Sequence, residues 1–151
     1  MSSENSLVLT NIGLAFDHPE AVAWGPDGRA YAGGEAGQLY RFSLDGKSCE
    51  EIARIPGGFL LGLAHDAAGN TYACDDRSAC VHCIAPDGAV STYASGSDTQ
   101  KMRVPNYPVF DDQGNLYVSD SGTWGNRDGF IWKVAPGGRA EVWDRSCNGF
   151  T

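Results

Sequence analysis

Three side chains that end in hard oxygen donors stand at equivalent positions along this 151-residue sequence. They are Glu20, Asn106 and Asn148, and each lies where an inner strand of a repeated unit is predicted to begin. One carboxylate and two amide oxygens suit Ca²⁺, Mg²⁺ or Mn²⁺ better than zinc. Taken singly, each residue is explained as a turn cap or a solvated rim residue. The metal hypothesis therefore depends on all three sharing one register.

Cysteine and histidine suggest less chemistry. Cys80-Val-His-Cys83 spells C-x-x-C, but the repeat predicts a strand there, and positions i and i+3 of a strand point to opposite faces. No second such pair completes a four-ligand zinc site. We expect a half-buried strand, and free thiols for the odd set of five cysteines. His65 lies on a predicted inner strand, where it contacts substrate or, as is more common, is a satisfied core histidine.

A phrase that ends in tyrosine recurs three times and predicts the elements that position these residues. It spans 24–31, 65–72 and 110–117, so its tyrosines lie 41 and then 45 residues apart. A glycine-bearing turn follows each copy, at 44–46, 86–88 and 136–138. Two such turns between short apolar runs describe four antiparallel strands joined by hairpins. Units of this length and strand number are typical of β-propeller blades.

The repeat divides the chain into about three blades. We expect them at 19–56, 57–96 and 103–145, with a lone strand over 7–16 before them and a fourth blade beginning at residue 148. A polar connector at 95–102 and a longer hairpin at 119–129 interrupt the rhythm. Loops on a rigid scaffold often line ligand sites, so Trp124 in that hairpin is a candidate substrate contact, with packing over the blade edge as the equal alternative.

A complete ring usually needs four to eight blades. Two explanations follow: the chain is the N-terminal half of a longer protein, or two copies pair as a homodimer to close one ring. We favour the first, because the sequence stops inside a predicted strand. Three open blades expose two sheet edges, so we expect the isolated chain to be marginally stable, aggregation-prone or paired.

Composition excludes several functional classes. With 11 Lys and Arg against 19 Asp and Glu, the formal net charge is −8, which argues against nucleic-acid binding. No apolar run approaches the length of a membrane span, so no membrane partner is expected. The N-terminal residues have no basic leader with an apolar core, and we therefore expect a cytoplasmic protein. No Gly-x-Ser-x-Gly nucleophile motif is present.

Residues 19–28, 105–114 and 119–125 resemble the senescence marker protein/gluconolactonase/luciferin-regenerating enzyme family. The resemblance implies a six-bladed propeller with one divalent cation, Ca²⁺ before Mg²⁺, Mn²⁺ or Zn²⁺, at the channel mouth. Its ligands in the family are Glu, Asn, Asn and Asp, and Glu20, Asn106 and Asn148 match the first three. The Asp, which also serves as the general base, is expected beyond Thr151, so the catalytic residue is not assigned.

The same resemblance implies a metal-dependent hydrolase whose substrate is a small lactone or related ester. Many members follow the first Asn with Asp-Gly, whereas this chain has Tyr107-Pro108, and Tyr107 therefore joins His65 and Trp124 as a candidate substrate contact. Residues 19–23 and 37–40 are also similar to strictosidine synthase-like propellers. A propeller of that type, or one that binds a ligand without catalysis, is the alternative.

Overall fold

The computed structural model describes residues 15–123 and 125–146 of the chain. The candidate residues Trp124 and Asn148, the start of a fourth blade and most of the strand expected at 7–16 lie outside the described residues. The described part is all-β and holds twelve strands. In chain order they are β1 Val22–Trp24, β2 Ala30–Gly33, β3 Gln38–Phe42, β4 Cys49–Arg54, β5 Leu60–His65, β6 Thr71–Asp75, β7 Cys80–Ile84, β8 Val90–Ala94, β9 Pro105–Phe110, β10 Leu116–Asp120, β11 Phe130–Val134 and β12 Ala140–Asp144.

The strands form three separate four-stranded sheets, β1 to β4, β5 to β8 and β9 to β12, each in simple meander order. Every pairing within a sheet is antiparallel. The third and fourth strands of each sheet carry a register shift, which bends and twists the outer edge. The prediction of an all-β chain with three propeller blades is confirmed; we call them blades one, two and three.

The repeated phrase folds into the hairpin between the first two strands of each blade. In blade two, Asp66 Oδ1 accepts hydrogen bonds from Asn70 N at 2.9 Å and Ala68 N at 3.0 Å, and Gly69 takes a left-handed φ of 87°. A left-handed turn residue is most readily a glycine, which explains the fixed Gly of the phrase. The phrase's tyrosine closes the turn, since Tyr72 Oη donates to Asp66 Oδ2 at 3.3 Å.

The core lies between the blades, where neighbouring sheets pack face to face. One apolar cluster joins blades one and two around Leu39 and Leu60, and a second joins blades two and three around Val81 and Trp132. The first strands of adjacent blades are also neighbours. A Cβ added at Gly62 on β5 would lie 2.5 Å from the carbonyl oxygen of Asn106 on β9. Gly62 and Asn106 are the third and second residues of their strands, so β5 and β9 begin at the same end of the blades.

The outer faces of blades one and three, which point away from blade two, are partly apolar and exposed. On blade one, Val22 and Trp24 are 64% and 60% exposed, and on blade three Tyr107, Val109 and Trp143 are each more than half exposed. Among the described residues, no helix is long and apolar enough to cross a membrane.

The described cysteines, at 49, 74, 80 and 83, are free thiols. Within β7, Cys80 lies beside His82, whose Nε2 is 3.3 Å from its Sγ, whereas Cys83 packs with the cluster between blades two and three. The C-x-x-C pair therefore sits on a strand with its two sulfurs in different surroundings.

Candidate functional site

A buried carboxylate organises the end of blade three where the inner strand begins. Asp120 accepts four hydrogen bonds: from the backbone N of Arg103 at 2.9 Å, of Val104 at 3.0 Å and of Gly122 at 3.0 Å, and from Trp132 Nε1 at 2.9 Å. These bonds join the segment before β9 to the segment after β10. Because a buried carboxylate with several donors cannot shift without leaving them unpaired, it fixes both segments.

Asn106 is the second residue of β9 and lies in that fixed region. Its Nδ2 donates to Ser121 Oγ at 3.1 Å, and the backbone N of Ser121 donates to the carbonyl oxygen of Val104 at 2.9 Å. Among the described residues, no hydrogen bond reaches Asn106 Oδ1. The amide therefore presents its carbonyl oxygen as a free acceptor and its NH₂ group as an anchored donor.

Glu20 lies just before β1 in blade one and is held by a histidine. His18 Nε2 is 3.2 Å from Glu20 Oε1, and His18 Nδ1 is 2.9 Å from Glu35 Oε2. The hydrogen bond to Glu35 raises the pKa of His18, with Glu20 adding to it through its charge. His18 also has a left-handed φ of 41°, which non-glycine residues adopt at a cost and which is often found at functional sites.

Glu20 and Asn106 occupy the same place in their blades. Each lies 11 residues before the tyrosine of the repeated phrase, and the equivalent residue of blade two is Leu61. Glu35, which is linked to Glu20 through His18, and Ser121, which contacts Asn106, are equivalent to each other as well, since each follows that tyrosine by four positions. Leu61 packs against the cluster between blades two and three, so blade two contributes no oxygen donor at this level.

The side-chain oxygens of Glu20 and Asn106 are of the types that a hard cation binds. At this end the described residues offer one carboxylate, Glu20, with its side chain 43% exposed, and one free amide oxygen, Asn106 Oδ1. Oxygen donors of these two types are what Ca²⁺ takes in proteins. No group of three or more His, Cys, Asp or Glu side chains that could hold a metal ion occurs within residues 15–123 and 125–146. The predicted set has a single acidic ligand among these residues, with Asn148 outside them.

The remaining candidate substrate contacts do not share one location. Tyr107 follows Asn106 directly; its side chain is exposed and its backbone N donates to Ser119 Oγ at 3.1 Å. His65 ends β5, four residues beyond Leu61, so it is about 13 Å away along the strand. Its Nδ1 lies 3.2 Å from Thr71 Oγ1, and its ring packs 4.5 Å from Tyr31. Burial lowers the pKa of His65.

His65 borders a different cavity, at the opposite end of the blades. The cavity measures about 430 Å³ and lies between blades two and three, with Tyr72, Tyr93 and Phe110 in its wall. Asn106 and Tyr107 are neighbours on β9 whose side chains point to opposite faces of the strand, and His65 lies apart from both.

One buried group was not anticipated from the sequence. Asp75 in blade two takes the place of Asp120: its Oδ1 accepts hydrogen bonds from Phe59 N at 2.9 Å and Ser78 N at 3.3 Å, and its Oδ2 lies 3.2 Å from His82 Nε2. Burial opposes charge on both partners, but their hydrogen bonds prevail. They raise the pKa of His82 to about 9 and hold the pKa of Asp75 well below its usual range.

The signal for this group was present in the repeat. An aspartate stands three residues after the phrase's tyrosine in blades two and three, and Gly34 stands there in blade one. Since Asp75 is fully buried, it supports the blade and does not form a solvent-accessible site.

Comparison with solved structures places the fold among the β-propellers. A gluconolactonase from Xanthomonas campestris superimposes with a TM-score of 0.72 at 14% identity, over 85% of this chain and 48% of that one. A protein provisionally named gluconolactonase gives 0.73 at 17% identity, over 90% and 51%. A catalytically inactive variant of virginiamycin B lyase from Staphylococcus aureus, solved with quinupristin, gives 0.68 at 13% identity, over 87% and 43%. The chain thus spans about half the length of these proteins.

Sequence comparison adds one partial match. The family described as strictosidine synthase-like, N-terminal, matches residues 8–42, which cover the start of the chain and most of blade one. No curated protein sequence matches the chain. At these identities the solved structures show the fold, which is that of the N-terminal part of a gluconolactonase-like propeller. Together with the partial match, they support the resemblance drawn from the sequence.

Proposed function

We propose that this chain supplies three blades of a divalent-metal-dependent hydrolase that acts on lactones or related esters. The observation that carries the proposal is the equivalent placement of Glu20 and Asn106 in blades one and three. Each has a polar contact that holds the side chain, and Asn106 keeps a free acceptor oxygen. The gluconolactonase fold of the solved neighbours supports the same reaction class.

The chain's own residues supply binding and orientation. Glu20 would bring the negative charge and Asn106 a neutral oxygen to a Ca²⁺-type ion, with Asn148 as a third ligand. Such an ion supplies Lewis-acid polarisation of a carbonyl oxygen and a more acidic bound water. His18, which contacts Glu20 in the described structure, also bonds to Glu35 and keeps that anchor if Glu20 turns toward the ion.

Tyr107 remains the proposed substrate contact among the described side chains. It follows Asn106, it is exposed on the outer face of blade three, and its backbone N donates to Ser119 Oγ. An aromatic ring with a phenolic hydroxyl offers an apolar face and one hydrogen bond to a sugar-like lactone. The general base is expected on a residue after Thr151, so hydrolysis is proposed for the complete ring.

A strictosidine synthase-like or non-catalytic ligand-binding propeller is the second candidate. The observation that favours it is the partial family match over residues 8–42, which includes Glu20. The two candidates differ in their need for a metal at Glu20.

The test is a Ca²⁺ titration of the purified 151-residue chain by calorimetry, together with proton release from a δ-lactone by the complete ring. We expect Ca²⁺ to bind the chain and to raise the hydrolysis rate of the complete ring, and Glu20→Gln to weaken binding at least tenfold because the acidic ligand is lost. Glu50→Gln is the matched control, since Glu50 is an exposed carboxylate on β4 that pairs with Arg41.

Three results would overturn the proposal in different ways. Ca²⁺ affinity that is unchanged in Glu20→Gln would remove Glu20 from the site. Ca²⁺ binding without lactone hydrolysis by the complete ring would favour the ligand-binding alternative. Hydrolysis that proceeds equally after chelation of all metal would rule out metal dependence.

A further inference from the structure

We propose that Ser121 is a positioning residue that anchors the Asn106 amide through its NH₂ group and so keeps Oδ1 available for a cation. The inference deepens the proposed function and rests on it for the identity of the ligand. Its structural basis is the hydrogen bond from Asn106 Nδ2 to Ser121 Oγ at 3.1 Å.

Ser121 itself is immobilised from both sides. It is 9% exposed, and its backbone N donates to Val104 O at 2.9 Å. The residue before it, Asp120, and the residue after it, Gly122, are joined by a hydrogen bond from Gly122 N to Asp120 Oδ1 at 3.0 Å. Gly122 has a left-handed φ of 72°, and a Cβ there would lie 2.4 Å from Asp128 Oδ1. The hydroxyl therefore occupies a fixed point beside Asn106.

A fixed hydroxyl matters for an asparagine because its two terminal atoms are opposites. Oδ1 accepts hydrogen bonds and binds cations, whereas Nδ2 donates and repels them. The terminal torsion of Asn is broad and roughly two-fold, so the side chain alone does not select one orientation. A hydroxyl can accept from Nδ2 or donate to Oδ1, so Ser121 holds the amide in place; when a cation takes Oδ1, the NH₂ group turns to the Ser121 hydroxyl, which accepts its hydrogen bond.

Blades one and two have no asparagine at the position of Asn106, and neither has a hydroxyl at the position of Ser121. In blade one the equivalent pair is Glu20 and Glu35, bridged by His18, and the two oxygens of a carboxylate are interchangeable ligands. In blade two the pair is Leu61 and Asp76, and an apolar side chain has no ligand atom to orient. Only the blade with an amide, among the three described, places a hydroxyl at this position.

The experiment compares Ser121→Ala with wild type by Tb³⁺ luminescence and Ca²⁺ calorimetry. We expect about tenfold weaker binding, the loss typical when a group that orients a metal ligand is removed. Ser121→Thr, which keeps the hydroxyl, should bind as wild type does. Ser119→Ala is the matched control, because its hydroxyl accepts a hydrogen bond from the neighbouring Tyr107 backbone and not from the amide.

Two further measurements separate positioning from a general structural effect. The double variant Asn106→Ala/Ser121→Ala should bind Ca²⁺ no more weakly than Asn106→Ala alone, because Ser121 acts only through the amide. In metal-free protein, ¹⁵N NMR should show the Asn106 NH₂ proton that bonds to Ser121 shifted from its free-amide position and slow to exchange with solvent, and Ser121→Ala should return it to free-amide behaviour.

The outcomes distinguish this inference from the proposed function. If Glu20→Gln abolishes binding while Ser121→Ala leaves it unchanged, the function stands and the positioning role is overturned. If the wild-type chain binds neither ion, the metal function fails, and the NMR comparison still decides whether Ser121 orients Asn106. An additive loss in the double variant would also contradict the inference.

Discussion

Blades two and three anchor the start of the inner strand with the same kind of buried aspartate but with different side-chain partners. In both, a buried aspartate at the end of the second strand accepts backbone N–H groups from the segment that leads into the inner strand. The side-chain partner differs: Asp75 meets His82 Nε2 at 3.2 Å, whereas Asp120 meets Trp132 Nε1 at 2.9 Å. His82 and Trp132 are equivalent residues, each the third of its strand.

The two blades also differ near the start of the inner strand. The frames are alike, yet blade two presents Leu61 where blade three presents Asn106. A repeated frame can therefore carry a candidate ligand in one blade and a packing residue in the next. Functional chemistry in this fold is a matter of single positions on a scaffold that is otherwise repeated.

The largest effect should come from replacing the two buried carboxylates. Asp120→Asn introduces an NH₂ group among N–H donors, and Trp132 Nε1 can only donate. We expect it to lower the free energy of unfolding by about 4 kcal/mol, in the range for breaking a buried charged hydrogen-bond network. Asp75→Asn should cost about half as much, because neutral His82 can accept a hydrogen bond at Nε2. Urea denaturation followed by circular dichroism measures both.

Equal losses in the two variants would contradict this explanation. They would mean that the backbone donors, and not His82 or Trp132, dominate each site. Asp98→Asn, at an exposed carboxylate in the connector, controls for the change of net charge.

A smaller loss is expected at the contact between the two inner strands. In Gly62→Ala the new Cβ would lie 2.5 Å from Asn106 O and 2.7 Å from Tyr107 Cα, so the backbone of β9 must move. We expect about 2–3 kcal/mol of destabilisation, as for an overpacked core. Thermal melting followed by near-ultraviolet circular dichroism reports the change.

The matched control for Gly62→Ala is Gly137→Ala. Gly137 has a left-handed φ of 92°, but no atom lies within 4 Å of an added Cβ. Gly137→Ala should lower the free energy of unfolding by only about 1 kcal/mol, which is the cost of a left-handed backbone for a residue with a side chain. If Gly62→Ala were no worse than this control, the two inner strands would not be held in contact.

The smallest effect is a pH dependence confined to blade two. The pKa of His82, raised to about 9 from an ordinary 6.5, means that its pairing with Asp75 stabilises the fold fully below about pH 6.5 and is lost as the pH rises through 9. We expect the melting temperature of wild type to fall over this range by a few degrees. His82→Gln should not show this fall.

His65→Gln serves as the control for that titration. Burial lowers the pKa of His65, so its contribution is lost as the pH falls and not as it rises. The alkaline decrease should therefore persist in His65→Gln. A decrease that survives in His82→Gln would assign it to another group.

The sequence predicted the blades because their determinants are local. The phrase ending in Tyr31, Tyr72 and Tyr117 carries its own turn and its own left-handed glycine, and Tyr31 and Tyr72 also bond to the aspartate of their own turn. Such a unit can be recognised without any knowledge of its neighbours. The positions of Glu20 and Asn106 at one end followed from the same register.

What the sequence did not predict depends on distant partners. Asp75 and Asp120 look like ordinary turn residues, and only their strand neighbours His82 and Trp132 show that they are buried anchors. Ser121 was likewise read as part of a loop, since its contact with Asn106 spans 15 residues. Whether Glu20, Asn106 and Asn148 bind an ion stays a prediction.

Because its tryptophans differ in exposure, the chain contains intrinsic fluorescent reporters of two kinds. Trp132 is fully buried beside Asp120, whereas Trp24 and Trp143 are 60% and 56% exposed on blades one and three. Buried indole emits at shorter wavelength and is shielded from iodide, and exposed indole emits to the red and is quenched. With Trp124 replaced by Phe, emission from one molecule therefore reports two separate events: melting of the inter-blade core through Trp132, and covering of the outer blades through Trp24 and Trp143.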